Sequence, residues 1–273
     1  MKLSQPDANA QPLSDEEALK VFKETHWYQS WELRPGMVTP GLAHNPSGQC
    51  DMLHIPKDLT GMKCLDIGPM DGPMTFEMER RGAHAMALDI QDPTQVGFDS
   101  ARRIMGAKAA HYQGSVYGLP HAEMNDLDLV VFCGVYYHLK YPIMAFERIS
   151  AAMKLGGTLH FEGAGLVNYA EDIDGQPSGL SPEYVGQWND KRVPVCISYP
   201  NHYLGASNWF VPNAACLEGW LKVSGFEVRE ILPFTDGGAQ RLYGHAVKVS
   251  HLSEQVEHPA MGTGNPHLQA PTS

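Results

Sequence analysis

From Lys63 onward the apolar residues fall into short runs separated by glycine and polar turns. Two periods alternate along this stretch. Runs such as KCLDIG (63–68), HAMALDI (84–90) and DLDLVVFCGV (126–135) are short and apolar and end at turn signals, which predicts strands of a sheet. Between them, FEMERRGA (76–83) reads as a helix closing at Gly82 and FDSARRIMGA (98–107) as a second helix. AHYQGSV (110–116) reads as a third, short strand, IMAFERISAAMKLGG (143–157) as a helix stopping at paired glycines, and TLHFEGA (158–164) as a fifth strand. After an irregular segment, NAACLEGWLKVSGF (213–226) predicts a helix ended by Gly225. Two strands follow, VREILPF and RLYGHAVKV, around the turn TDGGAQ. Strands alternating with helices imply an α/β fold, a mostly parallel sheet covered on both faces.

Upstream, Ser14 with Glu17 three residues on has the spacing of a capping box and predicts a helix start. Residues 27–48 are aromatic and rich in Pro and Gly, which reads as a cap or lid on the main body. The expected division is a disordered tail at 1–12 and a helical and aromatic cap at 13–60. The main α/β domain spans 61–250, with 166–207 as a substrate-covering insertion, and a second disordered tail occupies 251–273.

Composition narrows the function. The chain has 273 residues and a net charge of −11, so as a whole it repels phosphate, and nucleic acid is not expected as a partner. Its five cysteines, Cys50, Cys64, Cys133, Cys196 and Cys216, form no C-x-x-C pair, which predicts a reduced, cytoplasmic protein. No apolar run approaches the roughly 18 residues of a membrane span. His111, His121 and His245 have no recognisable ligand spacing, and no metal is expected. Met70, Met74 and Met78 have helical spacing and read as core filler.

The informative turn is Gly68-Pro69-Met70-Asp71-Gly72-Pro73, between a strand and a helix. In open α/β sheets a ligand lies at the carboxyl ends of the strands. A dinucleotide needs G-x-G-x-x-G, with backbone N–H groups on its pyrophosphate. Here the middle glycine is missing, Pro69 and Pro73 remove donors, and Asp71 adds a negative charge. S-adenosylmethionine (SAM) carries no phosphate, and its ammonium suits a carboxylate such as Asp66 beside the Gly68 backbone. Asp89 ends the next strand, 17 residues after Gly72, where it can accept bonds from ribose hydroxyls. NAD enzymes place an acid similarly, so Asp89 alone leaves a nucleotide-binding oxidoreductase open. The expected cofactor set is Asp66, Gly68, Gly72, Asp89, Ile90, Ser115, Val116 and Cys133.

Residues 60–249 resemble class I SAM-dependent methyltransferases and, more narrowly, the tRNA uridine-5-oxyacetic acid (carboxymethyl) methyltransferase family. Leu65-Asp66-Ile67-Gly68 with Arg80-Arg81-Gly82-Ala83 is similar to that family's first motif. Gly134-Val135-Tyr136-Tyr137-His138, Leu155-Gly156-Gly157-Thr158-Leu159 with Glu162, and Asn208-Trp209-Phe210-Val211-Pro212 resemble its later blocks. The resemblance implies a Rossmann-like, seven-stranded methyltransferase sheet with an N-terminal cap and an inserted lid segment. It also implies that Tyr137 and Arg241 match residues that hold the carboxylate of carboxy-SAM. That family's lysine has no counterpart in Trp31–Gly36, and its basic N-terminal portion is absent or shortened. The expectation is therefore ordinary SAM as donor and a small-molecule acceptor methylated on oxygen. The alternative is modification of a tRNA wobble uridine.

Methyl transfer needs alignment, exclusion of water and often removal of a proton. His138, after the fourth strand, is the candidate base, with Tyr137 beside it. Glu162 ends an apolar strand and either binds the acceptor or pairs with Arg241. Arg241 can bind an acidic acceptor group. Tyr199, His202, Tyr203, Asn208 and Trp209 complete the expected acceptor site, and Trp27, Tyr28 and Trp31 form either a lid or the core of the cap.

Overall fold

Ser14 and Glu17 make the reciprocal bonds their spacing predicts. The Glu17 N–H donates to Ser14 Oγ at 3.3 Å, the Ser14 N–H donates to Glu17 Oε2 at 3.1 Å, and helix α1 runs from Asp15 to Glu24. The structure is a computed structural model that describes residues 1–4, 11–170, 193–199, 208–236 and 239–251.

The alternating runs assemble into one sheet. Parallel strands β6 (Lys63–Ile67), β7 (His84–Asp89), β8 (Ala110–Gln113), β9 (Leu127–Cys133) and β10 (Met153–Ala164) form its body. The antiparallel hairpin β13 (Phe226–Asp236) and β14 (Ala239–Lys248) closes one side through β10. With β1 (Lys2–Ser4) at one edge, the full order is β1-β8-β7-β6-β9-β10-β14-β13. Seven of these strands are the expected ones. The eighth, β1 (Lys2–Ser4), corrects the expected disorder of the first residues: it pairs antiparallel with β8, Leu3 opposite Tyr112. An open strand edge offers unpaired N–H and C=O groups, and Arg102 secures the addition by donating to Ser4 O at 3.0 Å and Ser4 Oγ at 3.1 Å. Residues 252–273, most of the expected second tail, lie outside the described residues.

Period-two burial explains the layers. Leu65, Ile67, Met86, Leu88, Val130 and Phe132 point to one face, where α5 (Pro142–Ala152) and α6 (Ala214–Val223) pack. Cys64, Ala85, Ala87, Leu129 and Val131 point to the other, against α3 (Pro73–Arg80) and α4 (Phe98–Met105). Trp27, Trp31 and Leu33 of the N-terminal stretch belong to this second core, with Trp31 stacked on Phe76 at 5.9 Å. The stretch itself holds two-residue and three-residue strands, β2 (Gln29–Ser30), β3 (Glu32–Arg34), β4 (Met37–Val38) and β5 (Leu42–Ala43), then the short helix α2 (Pro46–Met52).

Three expectations change. Helix α5 stops at Ala152, not at the glycines, and β10 begins at once. The buried Lys248 Nζ donates to Ser150 O at 2.6 Å and Met153 O at 2.7 Å, satisfying carbonyls at the helix end. Gly156 and Gly157 lie inside β10, at its register shift against β9. The hairpin strands absorb most of TDGGAQ, Thr235 pairing with Gln240 and Asp236 with Ala239. Within 166–207, Cys196–Ser198 forms strand β11, which pairs with β12 (Phe210–Pro212) just beyond the segment.

Candidate functional site

The carboxyl ends of β6, β7, β9, β10 and the start of β14 open into two adjoining cavities that share Tyr28, Gly68, Cys133, Gly134 and Arg241. The larger, of about 640 Å³, reaches Asp89, Ile90, Ser115, Val116, Tyr137 and His138. The smaller, of about 410 Å³, runs under the cap and reaches His44, Gln49, Asp66, Glu162 and Phe234.

Gly68 turns β6 into this space with φ +78°, and a Cβ there would lie 2.4 Å from Val135 Cγ2. Glycine is the residue that fits both the backbone angle and the contact. Asp66 is buried at the end of β6. Burial is the main cause that raises its carboxyl to about 7; the Thr75 hydroxyl, donating at 2.6 Å, opposes the rise and nearby Asp89 adds to it. Burial likewise raises Asp89, although its carboxylate accepts the Gln91 N–H at 3.0 Å. Ile90, next to it, is 72% exposed, an apolar side chain on an open cavity wall. Ser115 caps the turn after β8, its Oγ accepting the Tyr117 N–H at 3.3 Å.

On the opposite wall Arg241 and Glu162 form a bidentate pair, Nε to Oε1 at 2.5 Å and Nη2 to Oε2 at 2.9 Å. Burial opposes the charge on Arg241, but the Glu162 carboxylate outweighs it and holds the guanidinium protonated. Of the two alternatives for Glu162, the structure contains the ion pair, and both partners line the smaller cavity. Arg241 also donates to Tyr137 Oη at 3.4 Å and lies 5.2 Å from that ring. Burial raises the Tyr137 hydroxyl, and Arg241 opposes the shift. The two adjacent tyrosines of this turn divide between core and cavity. Tyr136 is fully buried and donates to Ala164 O at 2.7 Å, whereas Tyr137 faces the cavity. His138 lines the same cavity, its ring 4.2 Å from that of Tyr137.

Several expected residues stand elsewhere. Gly72 lines neither cavity: a Cβ there would strike the Phe76 and Phe98 rings at 2.6 and 2.7 Å, so its role is packing beneath the turn. Asp71 does not face a ligand either. It is fully buried, accepting the N–H groups of Tyr28 at 2.7 Å, Gln29 at 2.8 Å and Gly97 at 3.0 Å. Met70 is not core filler but a cavity residue with φ 52°, before the helix begins, while Met74 and Met78 are buried. Tyr199, Asn208 and Trp209 line neither cavity. Tyr199 is 3% exposed in a small core, and the Trp209 N–H donates to Tyr137 O at 2.7 Å, so this segment backs Tyr137 from behind. His202 and Tyr203 lie outside the described residues. The aromatic stretch serves both readings: Trp27 and Trp31 are core, and Tyr28, 48% exposed, lines both cavities. His44 and Gln49 on the cap wall carried no sequence signal, because their nearness to Glu162 and Arg241 is created only by folding.

The donor set fits a cationic adenosyl sulfonium better than a diphosphate. Three carboxylates, Asp66, Asp89 and Glu162, stand against one guanidinium, itself paired with Glu162, and among the described residues no lysine lines either cavity. Asp89 and Ile90 would hold ribose and adenine, and Asp66 with the Gly68 backbone the amino-acid end.

Comparison with known proteins agrees. The family described as "Methyltransferase domain" matches residues 50–231. Relatives named tRNA U34 carboxymethyltransferase include those of Klebsiella pneumoniae, 30% identical over 74% of this chain and 50% of theirs, and Aeromonas salmonicida, 28% identical over 80% and 62%. The chain spans about half to three-fifths of the length of these relatives. Among solved structures, the N-terminal domain of EvdMO1 with SAH bound aligns with a TM-score of 0.60 at 14% identity, covering 89% of this chain and all of that one. A putative SAM-dependent methyltransferase from Listeria monocytogenes aligns at 0.56 and 13% identity, over 76% of this chain and 100% of its own. These structures share the fold.

Proposed function

We propose a function from one premise: this chain belongs to the methyltransferase-domain family whose match spans residues 50–231. It is a class I methyltransferase, and SAM, when bound, supplies a methyl group already activated by its sulfonium. The proposed reaction is transfer of that methyl from ordinary SAM to an acceptor seated where the two cavities meet at Arg241, with oxygen as the receiving atom. Asp66 binds the donor's ammonium and Asp89 its ribose. Tyr137 and the Glu162–Arg241 pair form the wall against which the acceptor is oriented. His138 takes the acceptor's proton, an imidazole being suited to that task near neutral pH. Tyr28 and the β5–α2 segment cover the cavity and exclude water.

One observation carries the choice of ordinary SAM. Among the described residues, Arg241 is the sole guanidinium or ammonium side chain on either cavity, and Glu162 occupies its Nε–Nη2 edge. A donor bearing an extra carboxylate would share this one guanidinium with Glu162, two negative groups against one positive group, which buried electrostatics penalises.

A second reading, carboxymethyl transfer to tRNA position U34, is favoured by the names of the relatives and by the contact of Arg241 with Tyr137. Titration calorimetry with SAM and carboxy-SAM separates the two. The first reading expects SAM to bind at least about tenfold more tightly, about 1.4 kcal/mol; tighter binding of carboxy-SAM would transfer the case to the second. In a turnover assay on whichever acceptor is found, His138→Ala lowers kcat with little change in SAM affinity. Undiminished turnover would remove His138 as the base.

A further inference from the structure

Strand β14 alternates. Leu242 and Ala246 enter the core on one face, and Arg241, Tyr243 and His245 stand on the other, toward the cap. His245 is four residues beyond Arg241, about 13 Å along the strand, and lines neither cavity. Its cross-strand partner on β13 is Glu230, brought into register by the shift after Val228. Above them sits His54, just past α2, a non-glycine residue with φ 58°. His54 Nε2 lies 3.0 Å from Glu230 Oε2, and the His54 and His245 rings are 5.2 Å apart. One ligand atom from each of His54, Glu230 and His245 lies within 4.8 Å of the others.

Two further observations separate this cluster from a surface ion pair. His245 Nδ1 is buried without a hydrogen-bond partner, a costly state that a ligand could relieve. The neighbouring His160 is fully engaged, Nδ1 with Leu53 O at 2.7 Å and Nε2 with Thr158 Oγ1 at 3.0 Å, and stacks on His245 at 5.8 Å. It fixes the His245 ring and is not itself available as a ligand.

We propose that His54, Glu230 and His245 form a divalent transition-metal site that ties the end of the cap to the terminal hairpin. Two imidazoles and one carboxylate are the donor set of zinc and its first-row neighbours, not of magnesium or calcium, which prefer all-oxygen shells. Metal–ligand bonds of about 2.0–2.2 Å bring ligand atoms to roughly 3.3 Å from one another. The His54–Glu230 separation already has that value within a few tenths of an ångström. His54, 58% exposed, has the freedom to complete the closure. Water would fill the remaining coordination. The site is independent of the methyl-transfer reading, since its residues touch neither cavity.

The test uses full-length protein freed of any affinity tag and stripped with a chelator. Zinc titration by calorimetry should give one site per chain, and cobalt(II) should give a visible absorption band at the same stoichiometry. His54→Ala and His245→Ala should each weaken zinc binding by at least about tenfold. Zinc should raise the unfolding temperature of the wild type but not of the His54→Ala protein, whose exposed site keeps the variant folded and its SAM affinity unchanged. The proposal is overturned if zinc does not bind stoichiometrically, or if binding survives both substitutions.

Discussion

Asp66 and Asp89 end neighbouring parallel strands, and burial raises both carboxyls, Asp66 to about 7. A raised carboxyl holds its proton in the folded chain over a range where the unfolded chain has released it. Its contribution to stability is therefore greatest below the usual carboxylate range and is lost as pH rises through about 7. Ligand binding runs the other way. An ammonium needs the carboxylate, so SAM affinity should be greatest above pH 7 and fall by up to about tenfold per pH unit below it. Dissociation constants measured from pH 8 to 5.5 check this, with Asp66→Asn expected to give a weaker and flatter profile. A flat wild-type profile would remove Asp66 from the ammonium site. Asp71 shows what the motif by itself hides. A charge in a glycine turn looks like a device against diphosphate, yet folding uses it on three backbone donors from the cap and the segment before α4.

At the scale of elements, the start of α1 was legible because Ser14 and Glu17 are three residues apart and cap each other locally. The end of α5 was not, because Lys248, 98 residues from Ser150, satisfies the carbonyls there. Replacing that donor while keeping its apolar stem tests the point. Lys248→Met should lower stability by about 1–3 kcal/mol, the cost of leaving buried acceptors unpaired, as read by urea unfolding. A loss below about 0.5 kcal/mol would mean that water or a shifted helix end replaces the lysine. Strand β1 has the same origin: nothing in Lys2–Ser4 demands a strand, and the open edge of β8 with Arg102 beside it makes one.

Across the whole molecule, Trp27, Trp31, Leu53 and Leu59 share one core with Phe76, Met78 and Phe98. The N-terminal stretch therefore lacks a separate hydrophobic interior, and it should unfold with the sheet. Calorimetry of the ligand-free protein is expected to show one transition with matching calorimetric and van't Hoff enthalpies; two resolved transitions would contradict the shared core. The periodicities of the chain determined the α/β layers, and the turn at Gly68 with Asp66 and Asp89 marked where the candidate site opens, because strand and helix repeats and a glycine turn are properties of near neighbours. Folding alone decided that Glu162 occupies Arg241, that Asp71 serves the backbone, and that His54 meets Glu230 and His245. Such contacts join residues tens to nearly two hundred positions apart, and only the packing of strands and cap sets their distances.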